Sequence, residues 1–135
     1  LSKYTPQEIK ITDYDDQQMY YLRRERWMEA LLAGTYTQGQ GRLVKTALSY
    51  YETTKHCCLG VACDVFKEDL GISLVAGDSY EDRAGDVASL LLPESLRIYL
   101  GLSKEHQNIL SVANDTGADF KTIAAIIRNL DYYKD

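Results

Sequence analysis

Histidine, proline and cysteine are scarce in this chain, which has two, two and three of them respectively in 135 residues. With two imidazoles, any metal shell or proton relay would have to be completed by cysteines and carboxylates. With two prolines, a long linker is not expected, and a chain of this length can bury one self-sufficient core. No apolar run approaches the roughly 20 residues that span a bilayer. The opening LSKYTPQEIKITDYDDQ is too polar for a secretory signal, so a cytoplasmic protein with no membrane partner is expected. The cysteine count is odd and Cys57 and Cys58 are adjacent, so reduced thiols are expected rather than a disulfide framework.

Several reaction types lack their parts altogether. There is no G-x-x-x-x-G-K-[ST] loop, no G-x-G-x-x-G after a strand, no G-x-S-x-G elbow and no H-E-x-x-H. Positive charge is also short, with a net charge of -5. Residues 1–67 carry nine Lys/Arg against eight Asp/Glu, and residues 68–135 carry six against twelve. Nucleic-acid affinity comes largely from neutralising phosphates, so such a partner is not expected. The one dense basic cluster, Arg23, Arg24 and Arg26, is interleaved with Glu25 and Glu29 and reads as a solvated helix face.

What is present is helical periodicity. Residues 1–14 read as an extended N-terminal arm, 15–131 as a single globular domain and 132–135 as a tail. A first helix should start at Asp15 or Asp16, whose carboxylates suit its positive end, and run to Gly34, burying Trp27. The Thr-, Tyr- and Val-containing segment after Gly34 predicts a turn followed by a small hairpin or paired extended segments. Leu59, Cys63, Phe66 and Leu70 form one stripe, predicting a helix that starts near Cys57 and Cys58 and stops at Gly71. A short strand is expected at 72–76, followed by an acidic loop containing Asp78, Glu81, Asp82 and Asp86. Pro93 opens a short helix that ends at Gly101, Ser103 caps the next, and Asp119 caps the last. The expected fold is α+β, predominantly helical, with about five helices and a small β-hairpin or short sheet.

Two regions carry candidate site residues. In KHCCLGVACD, His56, Cys57 and Cys58 lie at the predicted helix start, where the positive dipole end can lower a thiol pKa. They are the catalytic candidates if the protein is an enzyme. A zinc shell is less favoured, because no second Cys pair exists and Cys63 falls on the apolar stripe. The plainest reading makes the cysteines small buried hydrophobes, with Gly60 allowing close approach of the hairpin. Gln38, Gly39, Gly41 and Arg42 form the second region, a glycine-flanked turn whose amides can approach an anion. With His56, Cys57, Cys58, Asn114 and Asp115 they are the ligand-binding candidates. No metal and no cofactor is expected.

Tyrosine is abundant, with eleven residues that include the pairs Tyr20/Tyr21, Tyr50/Tyr51 and Tyr132/Tyr133. A ring with an apolar body and a wet hydroxyl suits protein interfaces, so Tyr21, Tyr50, Tyr51, Tyr132 and Tyr133 are the interface candidates.

The segments RERWMEALLAGTYTQGQGRL, HCCLGVACD, LLPESLRIYLGL and LSVANDTGADFKTIAAII follow one another along the chain. Over roughly residues 23–127 this order resembles a family of small proteins of bacteriophages and of bacteria carrying phage genes. The shared segments are Y-x-Q-G-x-G-x-L, C-C-L-G-V-x-C-D and N-D-x-G-x-x-F-x-x-I-A. The resemblance implies a genomic setting and carries no activity. The expectation is a non-catalytic accessory protein that binds a host or viral protein. One alternative is a binder of a nucleotide-like anion using the 38–42 turn and the 56–58 helix start; another is a cysteine-dependent enzyme.

Overall fold

The computed structural model describes residues 8–134. Six helices among them surround the core: α1 (Tyr14–Leu32), α2 (Cys58–Val65), α3 (Lys67–Leu70), α4 (Glu94–Tyr99), α5 (Lys104–Asp115) and α6 (Phe120–Arg128). Three small sheets complete an α+β domain.

The helix starts follow from local hydrogen bonding. Asp13, Ser103 and Asp119 each accept from the backbone N–H three residues on, satisfying a donor that the first turn leaves orphaned. Ser103 was expected to cap α5 and Asp119 to cap α6, whereas α1 starts earlier than expected because Asp13, and not Asp15 or Asp16, takes the cap. Gly71 and Gly101 end α3 and α4 with φ of 63° and 65°, a left-handed geometry that glycine adopts without a Cβ penalty. The stripe from Leu59 to Leu70 is divided between α2 and α3, and Phe66 at the break stays fully buried.

Helix α1 packs on α2 and α6, and α5 packs on the same two helices. Trp27 is completely buried in this layer, and its indole N–H donates to the Cys58 carbonyl at 2.9 Å.

The paired segments expected after Gly34 form a three-stranded sheet. β4 (Lys55–His56) lies between β2 (Thr37–Gln38), to which it is parallel, and β3 (Val44–Lys45), to which it is antiparallel. A meander of β5 (Ser73–Val75), β6 (Ser79–Glu81) and β7 (Val87–Ala88) forms the second sheet. In the acidic loop of this meander Asp82 is buried, not solvated. Its carboxylate accepts from the backbone of Ala84 and Asp86 and from the Ser95 hydroxyl.

Arm and tail are joined. β1 (Ile9–Lys10) pairs antiparallel with β8 (Tyr133–Lys134), Ile11 is buried, and Glu8 accepts from both Arg97 and the Lys104 backbone. The expected tail is therefore a strand packed on the domain. The part of the expected arm before Glu8 lies outside the described residues.

The arginine cluster is solvated only in part, with Arg26 exposed and Arg24 buried. Arg24 is 1 % exposed, and its guanidinium donates to the carbonyls of Leu100 and Gly101 after α4 and of Leu130 and Asp131 after α6. These carbonyls lie at or just past the C-caps of two helices, whose negative ends favour a cation. Burial lowers the Arg24 pKa to about 10, so it stays charged at neutral pH. Its neighbours are also engaged: Arg23 lies 3.7 Å from the Tyr99 ring centre, and Arg26 pairs with Asp69. Arg24→Lys should lower stability by about 1–2 kcal/mol, because one ammonium offers three donors and no planar fork. A urea unfolding midpoint equal to wild type would refute this role.

Candidate functional site

Three segments singled out in the sequence converge on one side chain, Asn114, which is 0 % exposed at the last turn of α5. Its Oδ1 accepts from the Cys58 backbone N–H at 3.1 Å and from the Gln38 amide at 2.9 Å. Its Nδ2 donates to the Gly39 carbonyl at 2.7 Å and to Asp115 Oδ1 at 3.1 Å. Gln40 adds a bond to the Asn114 carbonyl, and the same Asp115 oxygen accepts from the Gly41 N–H at 2.9 Å. The 38–42 turn, the helix start at Cys58 and the Asn114–Asp115 pair are therefore assembled, as a set of mutually satisfied hydrogen bonds. The Gly41 amide that was expected to approach an anion is taken by the protein's own carboxylate, and the Gly39 N–H donates to the His56 carbonyl.

The cysteines face inward. Cys57 caps α2, its sulfur accepting from the Gly60 N–H at 3.4 Å, and burial pushes its thiol up to about 11. Burial raises Cys58 and Cys63 well above the ordinary thiol range. The lowered pKa expected at a helix start is thus reversed, because desolvation of the thiolate outweighs the dipole. Under native conditions at pH 8 all three thiols should react with a disulfide reagent at least about 100-fold more slowly than a free thiol. Rapid labelling of one cysteine in the folded protein would contradict this.

No imidazole is placed to activate these thiols. The His56 ring meets Tyr36 edge-on at 5.1 Å, and burial lowers its pKa. His106 sits in the first turn of α5 against Tyr133, eight residues or about 12 Å of helix from Asn114. Tyr36 donates to Asp64, which also accepts from Lys67 at 3.1 Å. Burial alone would raise the Asp64 pKa, but these hydrogen bonds together with the charges of Lys67 and His56 hold it below the usual carboxylate range. Among the described residues no group of three His, Cys, Asp or Glu side chains could hold a metal ion.

The open space lies on the other face of the β2–β4–β3 sheet. A cleft of about 1290 Å³ is bounded by the 37–42 turn, the 45–55 segment, the turn between β5 and β6, and residues 117–119. Side chains alternate across a sheet, so Gln38, Val44 and His56 share the inner face while Thr37, Lys45 and Lys55 share the cleft face. Lys55 packs its stem so closely on Gly39 that a Cβ there would come within 2.8 Å of it. Arg42, also at the cleft, pairs with Asp78 at 3.1 Å.

The loop between β3 and β4 overhangs this cleft. Its backbone is held by Ala47 N–H to Thr54 Oγ1 at 3.1 Å, Leu48 N–H to Glu52 at 3.0 Å and Glu52 N–H to the Ser49 carbonyl at 3.2 Å. Yet its apolar side chains have almost no cover: Leu48 is 89 %, Tyr50 97 % and Tyr51 96 % exposed.

The remaining candidate tyrosines differ. Tyr132 stacks on Tyr20 and lies under the Arg24 guanidinium at 4.1 Å, and Tyr133 packs on His106. Tyr21 is partly exposed beside Tyr14 and Tyr132. Of the tyrosine pairs, only Tyr50/Tyr51 projects fully into solvent.

Sequence reading missed Leu48, Lys45 and Lys55. The available signal was the local charge of GRLVKTALSYYETTKH, which holds Arg42, Lys45 and Lys55 against Glu52 alone.

No helix among the described residues is long and apolar enough to cross a membrane. The chain matches no curated protein and no solved structure. Residues 19–131 match the family described as Domain of unknown function (DUF8296), and the chain belongs to that family.

Proposed function

We propose that this protein is a non-catalytic accessory protein of bacteriophage or prophage origin that acts in the host cytoplasm by binding a host or viral protein. One observation carries the reading: Leu48, Tyr50 and Tyr51 are held almost fully exposed on a loop whose backbone is already ordered by its own hydrogen bonds. Exposed apolar and aromatic groups are the usual anchors of protein interfaces, and a loop ordered in advance loses less entropy on binding. The phage setting rests on the resemblance of the quoted segments, and the burial that raises the Cys57 and Cys58 pKa values weakens the cysteine-enzyme alternative.

Anion binding at the 38–42 turn and the 56–58 helix start has weaker support, because the Gly39 and Gly41 amides and the Cys58 N–H already have internal acceptors. Paired affinity capture from source-cell lysate tests the main reading, with wild type and L48S/Y50S/Y51S as baits. A partner retained by wild type and lost by the variant supports it. Identical captured proteins from both baits, with the variant's circular dichroism unchanged, would reject it.

A further inference from the structure

We propose that the cleft beside the 48–51 loop receives a carboxylate-bearing segment of the partner polypeptide, with its acidic side chain between Lys45 and Lys55 and an adjoining apolar side chain against Leu48 and Tyr51. The inference rests on the protein-binding reading above and adds the partner's chemistry.

The register of the sheet supplies the first argument. Lys45 and Lys55 are direct cross-strand partners, so their ammonium stems leave the same face side by side. Like charges directly opposite in a sheet are destabilising. Among the described residues neither lysine forms an ion pair, so no internal carboxylate offsets the two adjacent charges. A single carboxylate set between the two lysines would relieve the repulsion.

The other charges of the cleft set the size and kind of anion. Arg42 is neutralised by Asp78, Glu52 accepts the Leu48 N–H, and Asp119 accepts the Thr122 N–H as the cap of α6. Those three carboxylates stay on the walls, so a chain with one charge per nucleotide would meet repulsion along most of its path. Phosphate is less well served: one Arg42 nitrogen is already bonded to Asp78, and the Gly39 and Gly41 amides point to internal acceptors. One or two carboxylates match two lysines, and the uncovered Leu48 and Tyr51 at the rim match an apolar neighbour.

The test is fluorescence anisotropy on the full chain with a fluorescein-labelled peptide of about twelve residues, in which two acidic residues lie beside Leu and Tyr in an otherwise neutral sequence. Binding is expected to weaken about tenfold or more when Gln and Asn replace the peptide's acids, in K45Q/K55Q, and in L48S/Y51S. The unfolding midpoint of K45Q/K55Q should equal or exceed that of wild type, because the repulsion is gone. No binding at millimolar peptide, equal binding of the amide peptide, or unchanged affinity in K45Q/K55Q would overturn the proposal. So would tighter binding of a thymidine oligonucleotide of similar length, or full displacement by about 10 mM inorganic phosphate. If a partner that depends on the 48–51 loop stays bound to K45Q/K55Q, the cleft proposal fails while the protein-binding reading stands.

Discussion

Gly60→Ala should be the most damaging single-methyl change in this protein. A Cβ built at Gly60 would lie 1.6 Å from the Leu43 carbonyl oxygen and 2.5 Å from its carbon, atoms of the backbone that no rotamer change can move. That same carbonyl accepts the Cys57 N–H at 3.2 Å, so retreat of the chain at Leu43 would break the bond that joins the start of α2 to the β2–β4–β3 sheet. Ala gains up to about 1 kcal/mol of helix propensity over Gly. Overpacking a rigid contact costs about 1–3 kcal/mol and occasionally more, and the severity of this overlap puts it at the upper end. A urea midpoint lowered by about 1–2 M is expected, followed by the fluorescence of Trp27, whose indole bonds to Cys58 in the same helix. A variant with the wild-type midpoint would show that α2 does not need this approach.

Replacing Asn114 should cost at least as much. Asn114→Leu keeps most of the volume but removes both ends of the amide, leaving the buried Cys58 N–H and the Gly39 carbonyl without these partners. Each buried group left unsatisfied costs about 1–3 kcal/mol, so a loss of about 3–5 kcal/mol is expected. Asn114→Asp separates hydrogen bonding from packing. The new carboxylate would still accept from Cys58 and Gln38, but an oxygen would replace the donor that faces the Gly39 carbonyl and Asp115. Burial and these like-charged neighbours would raise its folded-state pKa above the unfolded value of about 3.9. A raised pKa gives stability that is present below the unfolded value and lost as pH rises through the folded one. The deficit of the Asp variant relative to wild type should therefore be smallest near pH 4 and grow toward pH 7, while that of the Leu variant should stay nearly constant. Parallel pH profiles for the two variants would rule out this account of Asn114.

Much of the helical framework was legible because it is decided within a few residues. Ser103 and Asp119 bond three positions ahead, and Gly71 and Gly101 supply left-handed turns on their own. The stripe through Leu59, Cys63 and Phe66 buried those side chains as expected, and Gly60 makes the close approach read from its position. The same periodicity could not locate the break before α3, since Phe66 keeps its place in the stripe on either side of it.

The errors share a different cause. Arg24 reads as one more charge on a polar face until helix ends 76 and 106 residues away place four carbonyls around it. After Gly34 a hairpin or paired extended segments were expected, and β3 and β4 form such an antiparallel pair, but nothing local places β2 parallel to the other edge of β4. Whether Cys57 and Cys58 are reactive or simply buried depended on exposure, and burial decided it, with Cys58 enclosed by Trp27, Leu110 and Asn114.

By itself the sequence determined where most helices start and stop, which faces they bury, and which reactions lack their parts, because caps, turns and periodicity act over three or four residues. Only the tertiary structure decided that Asn114 satisfies two distant backbone segments, that Arg24 is interior, and that Lys45 and Lys55 meet beneath an uncovered Leu48 and Tyr51. Those outcomes depend on desolvation and on partners brought together across the chain, and neither is set by a residue's neighbours in sequence.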